Sequence, residues 1–358
     1  MHLLDRVARG ETVAPDSAVD WPALLDEADL EGMTALLAHA LRDAEVPRDV
    51  KRQLVVRSMA IESRSVTMLR ELARIVTAFR EHDIRMLAMK GAILSQQLYG
   101  DKALRGFSDL DIFVAPEDAD RGEELLGTLG YHDPEAPPPG QMSVHRRFNN
   151  ESLFVHDQKR TLVDFHWEFA NVQFPLRLSF EDVWRRRTAV TIDGFDYPTA
   201  GDADLVVITA NHAAKHLWSR LEHLVQIAAL ARRELDWNEV DRIATQAGAA
   251  RQVGVSLLLV HERFAQHLPP AERSLSRARR VYASVRELVA QNVAKGEKRK
   301  TDAGGRDVFY LFDRRRDAFL ALAVSVFVPT HPDWKSASVP WLSRPMRLAR
   351  KHWIHRKK

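Results

Sequence analysis

Two aspartates one residue apart, and a third in a later apolar segment, are the side chains of this sequence best placed to do chemistry. Ser108-Asp109-Leu110-Asp111 opens the run Ile112-Phe113-Val114. Side chains two apart on a strand share a face, so Asp109 and Asp111 project side by side while Leu110 and Ile112 face a core. Carboxylates held that close raise one another's pKa unless a cation sits between them. An oxygen-preferring divalent ion, Mg²⁺ or Mn²⁺, relieves the repulsion. A solvent-facing acidic strand end is the other reading of this spacing. The third, Asp164, lies in Leu162-Val163-Asp164-Phe165-His166-Trp167, where alternation sets Asp164 and His166 on one face and Val163, Phe165 and Trp167 on the other. An aspartate in so apolar a strand is costly unless it is ligated or paired, and a core arginine is the alternative to an ion.

A second polar set is His212, Lys215, His216, Arg220 and His223, in an otherwise apolar helical region. His212 and His216 are four apart and share a helix face, which is compatible with zinc, but His-Ala-Ala-Lys-His lacks the glutamate of the zinc-protease motif. A phosphate- or substrate-facing patch and satisfied structural histidines are the other two readings. Trp218 fits a core position better than a stacking platform. Arg105, just before the acidic strand, suits either a phosphate or an ion pair with Asp101 or Asp109.

These residues need elements to hold them. Helical periodicity runs from Leu24 to Leu41 after Asp20-Trp21-Pro22 and is interrupted at Pro47; a second long helix reaches about Glu81, with Met68, Leu69, Leu72, Ile75, Val76 and Phe79 in one stripe. The period then changes. Ile84 to Met89 reads as a strand broken by Lys90-Gly91-Ala92, Ile93 to Tyr99 as a helix stopped by Gly100, Asp109 to Val114 as a second strand, and Glu117 to Leu129 as an amphipathic helix. Strands are also expected at Val144–Phe148, Leu153–His156 and Thr161–Trp167, then a hairpin at Asp193-Gly194. Helix is expected from Asp202 through about Ala265, an exposed linker at 297–306, and a C-terminal arm punctuated by Pro329, Pro332, Pro340 and Pro345. The reading is an α+β chain: a helical region at 1–81, a mixed and partly antiparallel core at 82–198, and a helical domain with a basic arm at 199–358.

Composition limits the chemistry further. The 358 residues contain no cysteine, which excludes a thiolate nucleophile, a disulfide framework and a cysteine-rich zinc site. The formal charge of +3 conceals an asymmetry, because residues 298–358 carry 15 Lys+Arg against 5 Asp+Glu and leave an acidic body. A basic tail suits an anionic partner or a solvated helix. The N-terminus lacks a secretory pattern, and the longest largely apolar run, Ala318 to Val328, spans 11 residues, about half of a bilayer crossing. A cytoplasmic protein with a buried late segment is expected.

The stretch from Met89-Lys90-Gly91-Ala92 through Leu98-Tyr99-Gly100-Asp101 to Arg105-Gly106-Phe107-Ser108-Asp109-Leu110-Asp111 resembles the signature of the DNA polymerase β-like nucleotidyltransferase superfamily. Within it, the sequence is similar to a family often encoded beside natural-product peptide clusters, lasso-peptide clusters among them. Val163-Asp164-Phe165-His166-Trp167, His212 to Leu221 and Pro340 to Leu348 extend the resemblance over most of the chain. The resemblance implies a polymerase β-like core and metal-dependent transfer of a nucleotidyl group from an NTP, with ATP as the expected donor. The acceptor would be a hydroxyl or phosphate on a peptide or small molecule in preference to RNA. It gives Asp109, Asp111 and Asp164 the catalytic and metal-binding roles with two Mg²⁺ or Mn²⁺ ions. Lys90, Gly91, Ala92, Arg105, Ser108, Lys215, His216 and Arg220 would bind the nucleotide, the phosphates lying over Gly91 and the helix it opens. His166 and His212 would contact substrate. The superfamily usually has Gly-Ser or Gly-Gly where this chain has Gly91-Ala92. A silent binding module on the same fold, and a toxin-like transferase acting on tRNA or protein, are the competing functions.

Overall fold

The computed structural model describes residues 2–11, 13–15, 19–137, 140–296 and 308–327. The expected linker at 297–306 and the proline-punctuated arm lie outside them.

Three short helices open the chain, α1 (Leu3–Ala8), α2 (Trp21–Leu30) and α3 (Thr34–Ala40). The Asp20 carboxylate caps α2 by accepting from the Ala23 N–H at 3.2 Å, and Pro22 sits in the first turn, where its missing donor has no role. The periodic run from Leu24 to Leu41 is two helices instead of one, because the chain reverses at Gly32 with φ +72°. The next helix, α4 (Arg48–Glu81), is 34 residues long, and its expected stripe from Met68 to Phe79 is buried.

The middle of the chain supplies β1 (Met86–Met89), α5 (Gly91–Tyr99), β2 (Leu110–Val114), α6 (Ala119–Thr128), α7 (Met142–Phe148), β3 (Glu151–His156), β4 (Thr161–His166), α8 (Phe180–Arg185) and the hairpin β5 (Thr188–Ile192) with β6 (Phe195–Thr199). The strand expected at Val144–Phe148 is helical: the Asn149 N–H and side-chain amide both donate to the His145 carbonyl, closing a turn that a strand could not make. The Asp193-Gly194 hairpin is as read, with both residues at positive φ, as a two-residue primed turn requires. The four-stranded sheet has the order β1-β2-β4-β3; β2 and β4 are parallel and both outer pairs antiparallel.

Alternation along β2 divides the sheet into two faces. Leu110, Ile112 and Val114 join Val163 and Phe165 of β4 against the buried half of α4 and against α6. Phe113 and, from β1, Leu87 and Met89 face a second core shared by the N-terminal helices and the C-terminal ones. Those are α9 (Asp202–Lys215), α10 (Leu221–Ala231), α11 (Trp237–Ala247), α12 (Ala250–Phe264), α13 (Glu272–Arg279), α14 (Tyr282–Val293), α15 (Val308–Leu311) and α16 (Arg315–Phe327). Helix is not continuous through His212–Leu221. Leu217 and Trp218 take φ of +52° and +44°, the Trp218 N–H closes α9 on the Ala213 carbonyl, and the buried indole donates to Ser256 Oγ at 2.9 Å. The late apolar segment is only half buried: Ala318, Ala321 and Val324 pack inward while Phe319 is 62% exposed, since one side of α16 meets the core. Among the described residues no helix is long and apolar enough to cross a membrane.

One buried ion cluster ties α4 to the sheet. The Glu71 carboxylate accepts from Arg74, from Lys159 Nζ at 2.8 Å and from Tyr131 Oη at 2.9 Å. Burial alone would raise this carboxyl, but those donors hold it at about 2. The folded value lies below the ordinary 4.5, so the stabilisation is present above pH 4.5 and is lost as pH falls toward 2. Glu71→Ala is expected to cost roughly 1–2 kcal/mol in urea unfolding at pH 7, since it removes the shared acceptor while Lys159 and Arg74, both partly exposed, regain water, and much less near pH 2.

Candidate active site

The parallel pairing of β2 with β4 sets Asp111 directly opposite Asp164, and His166 opposite Phe113. Asp111 is fully inside. Its Oδ1 accepts from Lys90 Nζ at 2.5 Å and faces His166 Nε2 at 3.1 Å, and neither contact uses Oδ2. Burial would raise the Asp111 carboxyl, but Lys90 and His166 hold it well below the usual carboxylate range. His166 stacks flat on Phe113, with ring centroids 4.2 Å apart, and its Nδ1 lies 2.8 Å from a Glu151 carboxylate oxygen. Glu151 is held at about 2: burial pushes it up, and His166 more than compensates.

Asp164 behaves in the opposite way. Burial first, then the charges of Asp111 and Asp109, push its carboxyl to about 7, and among the described residues no core arginine neutralises it. Burial and Asp111 raise Asp109 as well. One ligand atom from each of Asp111, Asp164 and His166 falls within 4.8 Å of the others. The carboxylates suit a divalent ion, being hard oxygen donors in excess negative charge, whereas His166, with both ring nitrogens on carboxylates, serves with the Lys90 ammonium as a local counter-charge.

These groups open on a cleft of about 710 Å³, within the range of small-molecule sites. Asp109, Asp111, Asp164, Glu151 and Lys90 line one side. Arg105, Ser108, His212, Lys215 and Arg220 line it too, so helices α9 and α10 bring cations to the carboxylates. Arg105 Nε is buried 4.0 Å from Glu222 and has no hydrogen-bond acceptor among the described residues. His212 is pushed below its ordinary pKa by burial and by Lys90, and its ring meets those of His216 and His223. The far wall comes from the N-terminal helices, where Thr34 and Arg57 both donate to the Asp29 carboxylate. That wall is fastened by Glu31, whose carboxylate accepts from the Leu221 N–H at 2.5 Å.

A family model described as uncharacterised nucleotidyltransferase matches residues 17–265. The chain belongs to this nucleotidyltransferase family. No curated protein matches it. Among solved structures, this member of the family is similar to the antibiotic-resistance factor ANT(2'')-Ia in solution (14% identity, 57% of this chain and 94% of that one, TM-score 0.30). It is also similar to an antigenic nucleotidyltransferase-like protein from Paracoccidioides brasiliensis (13% identity, 57% and 88%, TM-score 0.29).

Not all residues singled out in the sequence of this family member meet at the cleft. His166 and His216 do not line it, and His166 has both ring nitrogens facing carboxylates. Ala92 is buried in the core beneath the sheet, and a Cβ placed on Gly91 would come 3.1 Å from the Phe107 ring. The aromatic ring thus packs on the Cα side of Gly91. Two features escaped the sequence reading. Glu151 precedes the recognised alternation at Leu153, and the wall of Asp29, Thr34 and Arg57 comes from helices read as packing elements.

Proposed function

We propose that the cleft binds an NTP, ATP first, with two Mg²⁺ or Mn²⁺ ions, on a polymerase β-like core, and transfers its nucleoside monophosphate to an acceptor hydroxyl or phosphate. What carries this reading is the convergence of Asp109, Asp111 and Asp164 in the lining of one cleft in a nucleotidyltransferase family member. Those carboxylates would hold the ions. The ions, when bound, supply charge neutralisation for the triphosphate and lower the pKa of an acceptor hydroxyl.

The protein's own groups do the rest. Arg105, whose Nε has no hydrogen-bond acceptor among the described residues, and Lys215 and Arg220 face the triphosphate, His212 stands beside them as a neutral ring, and the Ser108 hydroxyl borders Asp109 at 3.4 Å. The acceptor oxygen attacks the α-phosphorus, the bond to pyrophosphate breaks, and a hydroxyl proton passes to a carboxylate oxygen of Asp164. Such a reaction relies on positioning and charge. The wall of Asp29, Thr34 and Arg57 is where the acceptor, a peptide natural product or small molecule, would sit.

A mass-shift assay tests this. The protein is incubated with NTPs, Mg²⁺ and candidate peptide, small-molecule or RNA acceptors, and an added nucleoside monophosphate is expected on a peptide or small molecule. The second reading is a catalytically silent module, favoured by the Phe107 ring against Gly91. Calorimetry separates the two: metal-dependent NTP binding supports the transferase, and its absence supports the module. An RNA product would select the tRNA-modifying alternative.

A further inference from the structure

We propose that Glu151 is a positioning residue of the metal centre, acting on Asp111 through the His166 ring. The inference rests on the reading that the aspartates hold divalent ions. Three contacts fix that ring. Phe113 stacks on its face with an interplanar angle of 6°, Glu151 meets Nδ1 at 2.8 Å, and Asp111 Oδ1 lies 3.1 Å from Nε2. Glu151 is the residue directly across the β3–β4 pair from His166, so the strand register itself brings the two together. The Asn150 amide donates to the same Glu151 oxygen that faces the ring, at 3.0 Å, which holds the carboxylate in place.

The consequence lies at Asp111. With Oδ1 held by Lys90 and by the ring, rotation of the carboxylate would break both contacts, and Oδ2 takes part in neither. A ligand oxygen fixed in this way loses no further freedom when an ion binds. Partners that orient metal ligands through a second contact commonly change affinity about 10- to 100-fold when removed.

The test is Mn²⁺ titration calorimetry on the full chain, with thermal unfolding in chelator as the control for folding. Glu151→Ala is expected to weaken Mn²⁺ binding about 10-fold or more. Glu151→Gln keeps an acceptor oxygen at the same reach and is expected to stay within about 3-fold of wild type. Glu151→Asp keeps the charge but shortens the reach, and is expected to resemble the alanine variant; it carries the test if Glu151→Ala does not fold. In a His166→Gln background Glu151→Ala should add no further loss. Unchanged Mn²⁺ affinity in Glu151→Ala and Glu151→Asp, or additive losses with His166→Gln, overturns the inference and leaves the proposed function standing. Failure of the wild type to bind Mn²⁺ overturns both.

Discussion

Asp109→Asn and Asp164→Asn are each expected to lower metal-dependent nucleotidyl transfer about a thousandfold, and Asp164→Asn should at the same time make the ion-free protein more stable. The first effect follows from losing a charged oxygen ligand, worth about 4 kcal/mol at the transition state. The second follows from the electrostatics of the resting site. Burial and the neighbouring charges of Asp111 and Asp109 raise the Asp164 carboxyl from 3.8 to about 7. Folding therefore takes up a proton at this residue between those values. The cost of ionising it is absent below about pH 4, grows as pH rises, and is complete above 7. Asparagine removes that cost, which after allowance for solvent access is roughly 1–2 kcal/mol. In chelator, the melting temperature of Asp164→Asn should exceed wild type by a few degrees at pH 8, with the gap closing toward pH 4. Pyrophosphate release measured on the same samples completes the comparison. Full turnover in Asp109→Asn would remove the assignment. A less stable Asp164→Asn at pH 8 would show that the three carboxylates are not in repulsion.

The strands that carry the acidic groups were legible because their pattern is local. Leu110 and Ile112 alternate with Asp109 and Asp111, Val163 and Phe165 with Asp164, and the chain reverses where Lys90-Gly91 and Asp193-Gly194 stand, all at positive φ. Both apolar sets are buried on the face expected. The same reasoning failed where tertiary contacts decide. Val144–Phe148 is too short for a period of two to be told from one of nearly four, and the capping of its last turn by Asn149 settles it as helix. The break after Lys215 follows from burying Trp218 against Ser256, a partner on another helix. Glu151 lies outside the alternation that begins at Leu153, and a lone glutamate carries no periodicity; only the pairing of β3 with β4 reveals its partner. The contribution of Asp29 and Arg57 to the cleft depends on Glu31 docking on the start of α10, a contact between residues 190 positions apart.

Lys90 is where fold and chemistry compete most directly. It leaves β1 at φ +57°, a conformation that costs an L-residue energy, and the geometry delivers its ammonium to the buried Asp111 oxygen. Desolvation opposes that charge, and attraction to Asp111 outweighs it, raising the lysine pKa. Without an ion, this ammonium and His166 are the neutralising contacts Asp111 makes. Lys90→Met keeps the length of the side chain and removes its charge. It is expected to destabilise the ion-free protein by about 3 kcal/mol, the usual cost of leaving one member of a buried pair alone. Added Mg²⁺ or Mn²⁺ would then restore more than it gives the wild type, because the carboxylates have lost the cation that partly balanced them. The rise in melting temperature with saturating Mn²⁺ should accordingly be larger in Lys90→Met than in wild type. An equal rise in both proteins would mean that the lysine does not share the charge of the metal carboxylates. No loss of stability in chelator would mean that the Asp111 pair contributes nothing to the fold.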